Sequence, residues 1–161
     1  MRHSGAISVR DADFAADQAA IRAIRFAVFV HEQHVPAALE MDDRDVACVH
    51  VLAFVDAAPV ATGRIDCASH GKVGRVAVLA SFRGLGVGRA VMGRLHEIAR
   101  RAGLTSVWCH AQVAAAPFYE RLGYRVVGPH FEEAGIAHVR MERPLEAAST
   151  QQQAPRGGAL S

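Results

Sequence analysis

Three glycines and an arginine stand where an apolar run of the chain gives way to an amphipathic segment. Residues 83–88 read Arg-Gly-Leu-Gly-Val-Gly, and they follow the largely β-branched run at residues 76–79. Glycine has no Cβ, so the chain can approach an anion closely, and the first N–H groups of a helix have no intrahelical partner. The helix dipole and the guanidinium of Arg83 add positive charge at the same place. The sequence therefore predicts a pyrophosphate site built largely from backbone.

Two common phosphate-binding loops do not fit this spacing. A P-loop ends in Gly-Lys-Ser/Thr, but here Gly88 is followed by Arg89. The dinucleotide fingerprint Gly-x-Gly-x-x-Gly/Ala would need a small residue where the chain has Val91 or Arg89. The pattern Arg-x-x-Gly-x-Gly does fit, as Arg83, Gly86 and Gly88. Taken alone, this pattern leaves open a tight strand-to-helix turn that binds no ligand.

Two further motifs lie on either side of the glycine loop. The downstream motif reads Gln112-Val-Ala-Ala-Ala-Pro-Phe-Tyr-Glu-Arg-Leu-Gly-Tyr124. The upstream motif reads Arg25-Phe-Ala-Val-Phe-Val-His-Glu-Gln-His-Val-Pro36, and Glu40, Asp42, Asp45 and His50 follow it. With the glycine loop, the downstream motif resembles the GNAT superfamily of N-acetyltransferases, which usually has Asn where this chain has Gln112. The upstream motif resembles the ElaA-like branch of that superfamily, and the whole resemblance covers residues 6–145.

The resemblance implies an α+β fold. The expected architecture is a single GNAT domain at residues 1–145, with a mixed, mostly antiparallel sheet of six to seven strands flanked by about four helices. Residues 146–161 include Gln-Gln-Gln, Pro155 and Gly-Gly, a composition typical of a disordered tail.

The resemblance also implies an activity and a cosubstrate. The expected enzyme is an acetyl-CoA-dependent N-acetyltransferase that moves the acetyl group to a primary amine by direct transfer in a ternary complex. The acceptor would be a small-molecule or peptide amine, and the protein a monomer or a homodimer. The residues carried over as cofactor-binding are Val76, Ala77, Val78, Arg83, Gly84, Leu85, Gly86, Val87, Gly88, Arg89, Gln112, Phe118 and Tyr119. Two alternatives stay open: a CoA- or acyl-CoA-binding sensor module without turnover, and an acyltransferase that uses a longer acyl-CoA.

Acyl transfer to an amine needs an acid, a base and an acceptor site. By its place in the motif, Tyr119 is the expected general acid for the departing thiolate, and its alternative is a core aromatic residue. His110 and Glu40 are candidates for the general base. The residues expected to contact the acceptor are Phe29, Glu32, Gln33 and Asp42. The acidic residues Glu40, Asp42, Asp43 and Asp45 either attract a cationic amine or form a solvated loop.

Metal and covalent chemistry are not expected. His31-Glu-Gln-His34 lacks the second histidine of a His-Glu-x-x-His zinc site, because position 35 holds Val35. Cys48, Cys67 and Cys109 form no Cys-x-x-Cys pair. A reduced setting and direct transfer are therefore favoured.

Composition is typical of one globular domain. The chain has 161 residues, of which 51% are hydrophobic and 21% charged. A net charge of +2, with lysines and arginines scattered along the chain, argues against nucleic-acid binding. Residues 1–5 lack the apolar run of a signal peptide and no segment reaches transmembrane length, so we expect a cytoplasmic protein that does not bind membranes.

Hydrophobic periodicity predicts the elements that position these motifs. The predicted strands are residues 6–10, 47–55, 60–67, 73–79, 106–110, 124–127 and 136–141. The predicted helices are residues 13–30, 86–102 and 114–122, with a short helical turn in the loop at residues 31–45. The glycine loop is thus expected between a strand and the most amphipathic helix of the chain.

Overall fold

The computed structural model describes residues 5–146, which form eight β-strands and four α-helices. The strands are β1 (Ile7–Ala12), β2 (Val49–Val55), β3 (Ala58–Asp66), β4 (Lys72–Val78), β5 (Ser106–Gln112), β6 (Arg125–Val126), β7 (Phe131–Glu133) and β8 (Ile136–Pro144). The helices are α1 (Phe14–Arg25), α2 (Ala37–Glu40), α3 (Val87–Arg101) and α4 (Ala116–Arg121). Apart from Glu146, the tail predicted at residues 146–161 lies outside the described residues. Within residues 5–146, no helix is long and apolar enough to cross a membrane.

The strands form a single mixed sheet. Their order is β1-β2-β3-β4-β5-β8-β6, and β7 also pairs with β8. Every neighbouring pair is antiparallel except β4 and β5, which are parallel. The predicted mixed, mostly antiparallel α+β architecture is therefore confirmed. The sheet has one strand more than expected, because β7 is only three residues long, too short for alternation of polar and apolar residues to reveal it.

Helices cover both faces of the sheet. On one face, α1 buries Ile21 and Ile24 against Leu52 and Ala77. On the other face, α3 buries the predicted stripe Val87, Val91 and Leu95 in the larger core cluster. A Cβ on Gly63 would lie 2.9 Å from Val91 Cγ1, so the absence of a side chain at Gly63 lets α3 lie close to β3.

The first predicted helix is two different helices in succession. Asp13 begins α1, and its carboxylate accepts hydrogen bonds from the N–H groups of Ala15 and Ala16 at 2.9 and 3.2 Å. The α-helical pattern ends at Arg25, and a π-helix continues over Phe26–Glu32. The extent predicted for residues 13–30 is nearly right. The change of hydrogen-bond pattern has no counterpart in apolar spacing, which is why it was not predicted.

A β-bulge interrupts β4. The register pairs Arg64 with Gly74 and then Thr62 with Ala77, so Arg75 and Val76 together lie opposite Gly63. Arg75 has a φ of 51°, in the left-handed region that a non-glycine residue rarely adopts. After the bulge, Val76 packs in the α3-side core and Ala77 in the α1-side core. The bulge therefore resets which β4 side chains face which layer.

The parallel strands β4 and β5 separate soon after they meet. Only Lys72 with Trp108 and Val73 with Cys109 are paired between them. Beyond this point β4 stays with β3 as far as Val78, and β5 stays with β8 as far as Gln112. A gap therefore opens between the carboxyl ends of the two central strands.

Candidate functional site

A cleft of about 990 Å³ occupies the gap between β4 and β5. The glycine loop after β4 borders one part of it, and the loop that contains Glu40 and Asp42 borders another. The hairpin between β7 and β8 contributes Glu133 and His138 to the wall. The cleft thus brings all three sequence motifs onto one cavity.

The glycine loop presents backbone and positive charge to the cleft. Gly84 and Gly86 have φ values of 78° and 85°, which glycine adopts without strain. Gly86 caps α3, and the first intrahelical bond runs from the Ala90 N–H to the Gly86 carbonyl at 3.1 Å. The N–H groups of residues 87–89 therefore have no intrahelical acceptor. Arg89 and Arg121 also line the cleft with positive charges suited to a phosphorylated ligand, and Arg83 lines it while paired with Glu32.

The residues predicted to bind the cofactor line this cleft, apart from Leu85, which is exposed. Those that line it are Val76, Ala77, Val78, Arg83, Gly84, Gly86, Val87, Gly88, Arg89, Gln112, Phe118 and Tyr119. Phe118 packs close to the start of α3, because a Cβ on Gly88 would lie 3.3 Å from its ring. The motifs on α3 and α4 therefore support each other.

The two tyrosines of the chain differ in what their hydroxyl groups contact. Tyr124 is buried, and its Oη lies 2.6 Å from His96 Nε2. Tyr119 lines the cleft with its ring edge-on to Phe118 and Tyr124, and its hydroxyl makes no hydrogen bond within residues 5–146. Burial raises the pKa of Tyr119 well above its ordinary value, so the phenol stays protonated at neutral pH. Tyr119 is thus the tyrosine that can donate a proton in the cleft.

His110 lies on the β5 wall of the cleft between aromatic rings. Its ring is edge-on to Trp108 and Phe131, at centroid distances of 5.3 and 4.8 Å. Its Nδ1 lies 3.4 Å from Glu133 Oε1. Burial lowers the pKa of His110, Lys72 lowers it further, and Glu133 partly opposes them. The imidazole is therefore neutral at pH 7 and can accept a proton.

The acidic residues of the predicted loop are paired with arginines and do not form a free anionic surface. Arg25 Nε donates to Glu40 Oε1 at 2.5 Å, and Arg25 Nη1 donates to Asp45 Oδ1 at 2.8 Å. Arg64 Nη1 donates to Asp42 Oδ1 at 2.7 Å and to Asp45 Oδ1 at 2.6 Å. The Arg64 hydrogen bonds hold the pKa of Asp42 at about 2. The expectation that these carboxylates attract a cationic amine, or are solvated, is wrong for Glu40, Asp42 and Asp45, because arginines neutralise them.

Glu40 combines burial with one unused acceptor. Its side chain is 1% exposed, and its Oε2 has no hydrogen-bond partner within residues 5–146. Glu40 is part of the cleft wall. Because Arg25 holds its other oxygen, the carboxylate is better placed to orient a hydrogen-bond donor than to leave its ion pair and act as a base.

The residues predicted to contact the acceptor are divided by the structure. Phe29, Gln33 and Asp42 line the cleft, but Glu32 does not. The carboxylate of Glu32 instead accepts two hydrogen bonds from Arg83, at 2.9 and 3.0 Å. Gln33 Oε1 accepts a hydrogen bond of 2.7 Å from Gln112 Nε2. Glu32 and Gln33, at the end of the π-helix, thus contact the glycine loop through Arg83 and the end of β5 through Gln112.

Sequence reasoning missed several charged residues of the cleft wall. They are Arg44, Arg64, Asp66, Lys72, Arg75, Arg121 and Glu133. Arg121 lies within the downstream motif, and Arg75 immediately precedes the run at residues 76–79, so their proximity to motif residues was the available signal. Lys72 and Glu133 gave none, because only the tertiary fold brings them to the cleft.

The thiols and potential metal ligands offer no second kind of site. Burial raises the pKa of the Cys109 thiol to about 12 and also raises the pKa of Cys67. Neither thiol is therefore a ready nucleophile at neutral pH. In the part of the chain that the structure describes, no group of three or more His, Cys, Asp or Glu side chains is placed to hold a metal ion.

Known proteins are similar to this chain in architecture and in sequence. The family model for the acetyltransferase (GNAT) domain matches residues 11–145. Bacillus subtilis YyaT is 40% identical over 126 residues, which cover 76% of this chain and 85% of YyaT. An acyl-CoA N-acyltransferase from Pseudomonas aeruginosa is 29% identical with a TM-score of 0.75, over 86% of this chain and 99% of that one. Escherichia coli ElaA is 28% identical with a TM-score of 0.76, over 84% of this chain and 99% of ElaA.

Proposed function

Because the chain belongs to the GNAT acetyltransferase family, we propose that it transfers an acetyl group from acetyl-CoA directly to a primary amine. The observation that carries the proposal is the gap between β4 and β5, which has a glycine loop at one side and in its wall the Tyr119 hydroxyl, without a hydrogen-bond partner among residues 5–146. The backbone of β4 beyond Val73 has no partner on β5. Apart from the Val78 carbonyl, which accepts a hydrogen bond from Arg83 Nε at 3.0 Å, the polar groups of this segment that do not pair with β3 can bind the amide-containing arm of a coenzyme.

The residues fit the cosubstrate at each of its chemical parts. The free N–H groups at the start of α3 and the guanidinium groups of Arg89 and Arg121 suit the phosphates, and Arg83 would join them on leaving its ion pair with Glu32. The backbone of residues 76–78 would hold the pantetheine arm and face the thioester carbonyl. Acetyl-CoA, when bound, supplies an acetyl group activated as a thioester, and the thiolate of coenzyme A is a good leaving group.

Side chains of this protein would then move the two protons of the reaction. The amine nitrogen forms a bond to the thioester carbon, and the C–S bond breaks. The proton lost by the amine goes to His110, the neutral imidazole in the wall, and Glu133 orients that ring. The departing sulfur takes a proton from Tyr119, whose raised pKa keeps it protonated. Direct transfer needs no protein nucleophile, in agreement with the raised pKa values of the cysteines.

Replacing Tyr119 by Phe should lower kcat by roughly 100-fold or more, the usual contribution of a positioned acid. The affinity for acetyl-CoA should change little, because the aromatic ring and its contacts with Phe118 remain. Rapid-quench or steady-state kinetics gives kcat, and calorimetric titration gives Kd. Tyr124→Phe is the matched control for stability, since that hydroxyl binds His96 in the core. An unchanged kcat in Tyr119→Phe would return Tyr119 to a packing role.

The pH dependence of the rate should identify His110. Since burial lowers the pKa of His110, the acidic limb of the kcat/KM profile should have its midpoint below 6.5. Glu133 raises that pKa, so Glu133→Gln should move the midpoint to still lower pH. The ionisation of the acceptor amine is common to both proteins and cancels in the comparison. A midpoint that does not move, together with normal activity of His110→Asn, would exclude His110 as the base.

The activity itself is tested by acetyl-CoA-dependent thiol release over a panel of primary amines. Release with one class of amine supports the acetyltransferase, and acetylated product should be seen by mass spectrometry. Tight CoA binding without release from any amine would favour a sensor module. Faster release from a longer acyl-CoA would make the protein an acyltransferase of broader donor range.

A further inference from the structure

We propose that Arg75 determines acceptor specificity by binding a carboxylate, so that the acceptor is an amine that also carries a carboxylate group. The inference rests on the proposed function, because it deepens the description of the same cleft. It begins from the conformation of Arg75. A left-handed φ of 51° is an unfavourable choice for arginine, and glycine would make the same bulge without strain. An arginine at a strained position that glycine would fill more easily indicates that its side chain has a function there.

The guanidinium of Arg75 has donors left over. Its Nε donates to the Glu40 carbonyl at 3.1 Å, and its Nη2 lies 3.3 Å from both the Leu39 carbonyl and Asp42 Oδ2. These bonds fix the plane of the group against the end of α2. No acceptor for Nη1 is found within residues 5–146, so its two N–H groups are unused. The side chain is 31% exposed and lines the cleft, which gives those donors access to a ligand.

Arg75 is affected by the positive charge of neighbouring arginines as well as by its carboxylate neighbours. Burial lowers the pKa of Arg64, but the hydrogen bonds that Arg64 donates to Asp42 and Asp45 outweigh burial and raise it. Burial and the nearby charge of Arg64 lower the pKa of Arg75, and its carboxylate neighbours do not outweigh them. An anion placed at Nη1 would relieve this imbalance. A second cation on the acceptor would worsen it.

The arginines and carboxylates around Arg75 form a cluster that does not offer a site for a polycation. Four arginines and four carboxylates neutralise one another there: Arg25, Arg44, Arg64 and Arg75 with Glu40, Asp42, Asp45 and Asp66. Lys72, which also lines the cleft, forms no ion pair in the described part of the chain and lies over the Trp108 ring at 5.2 Å. This side of the cleft therefore offers an acceptor the positive charges of Arg75 and Lys72, beside the carboxylate of Glu133.

Arg75 also has the right position along β4. It directly precedes Val76, and the proposed function places the thioester against residues 76–78. Arg75 and residues 76–78 line the same cavity, so a carboxylate bound by Arg75 would hold the acceptor in the cleft that the thioester would occupy.

Matched acceptors that differ only in the carboxylate test the assignment. Amino acids with the amine at increasing distance from the carboxylate, each paired with its carboxamide, are compared by kcat/KM from thiol release. The wild type should prefer the carboxylate member of at least one pair. Arg75→Gln should reduce that preference by at least about tenfold, since a charge-assisted pair is lost. Arg75→Lys should retain part of it, and Arg75→Gly, which keeps the bulge without strain, should lose it.

Arg44→Gln is the matched control. Arg44 belongs to the same cluster and lines the cleft, but its Nε and Nη2 are bound to Asp66 at 2.9 and 2.6 Å. Damage to the cluster should lower both members of a pair equally and leave the preference unchanged. A wild-type preference for carboxamides, or an equal loss for both members in Arg75→Gln, would overturn the proposal.

A binding measurement separates failure of the proposal from failure of the proposed function. The same pairs are titrated calorimetrically into the wild type and Arg75→Gln in the presence of CoA. If no amine is acetylated but the carboxylate members bind and require Arg75, the acetyltransferase assignment fails and the carboxylate site stands. If amines are acetylated but neither turnover nor binding depends on Arg75 and the carboxylate, the site fails and the enzyme stands.

Discussion

Replacing Arg25 by Met should lower the free energy of unfolding by about 3–5 kcal/mol, because it removes the close partner of buried Glu40 and leaves buried Asp45 with Arg64 alone. Arg25 is fully buried and holds both Glu40 and Asp45, whose side chains are 1% and 2% exposed. Methionine fills a similar volume, so the loss reports charge and hydrogen bonding more than packing. Urea denaturation measures the difference. Arg94→Met is the control, and it should cost less than about 1 kcal/mol because its partners Asp11 and Glu97 are exposed.

The deficit in Arg25→Met should also depend on pH. Burial raises the pKa of Asp45, but Arg25 and Arg64 outweigh burial and hold it below its ordinary value. A lowered folded-state pKa contributes stability above the unfolded value of about 3.9, and this contribution is lost as the pH falls through the folded value. Without Arg25 the folded pKa of Asp45 rises, because only Arg64 still opposes burial, so part of this contribution is already lost at neutral pH. The difference between the two proteins should therefore narrow from pH 7 to pH 4, and a constant difference would contradict this role.

The second large effect is expected at the glycine loop. Gly86→Asp should weaken CoA binding by at least about 100-fold relative to Gly86→Asn, because only the first places negative charge beside the pyrophosphate. Asp and Asn have the same shape, and both tolerate the left-handed φ of 85° better than other side chains. A Cβ at this position meets no atom within 4 Å, so neither variant should be damaged sterically.

Calorimetric titration with CoA gives the two dissociation constants. Equal melting temperatures confirm that both variants are folded alike. Equal CoA affinities would show that the pyrophosphate does not bind at the start of α3 and that the glycine loop is a structural turn.

Local patterns predicted most of the fold. The apolar spacing of α3 and the glycine at its start are strong signals, and the structure places that helix at Val87–Arg101. Elements that are defined by their hydrogen bonds were harder to predict from the sequence. The π-helix Phe26–Glu32 keeps helical spacing of apolar residues, and β7 is stable only because it pairs with β8.

The candidate site was predictable where backbone and motif define it, and less so where charges meet across the fold. Tyr119 and the glycine loop belong to continuous motifs, and the cleft contains both. For the acidic loop, the sequence identified residues that do line the cleft, such as Glu40 and Asp42, but it did not show that arginines neutralise them. Arg25 and Arg64 come from a helix and a strand distant in sequence, and only the tertiary structure shows that they neutralise Asp45.

The two-pair contact between β4 and β5 has a consequence for solubility as well as for binding. Strands with unpaired backbone normally lie at the outer margins of a sheet, where they can recruit strands of other molecules. In this protein such a strand margin lies in the middle of the sheet, at β4 beyond Val73. The helices that pack on both faces of the sheet, together with the paired part of β5, flank this margin, whereas an outer strand is open along one side. An unpaired strand margin in this position is therefore less accessible to other copies of the protein than one at the edge of the sheet.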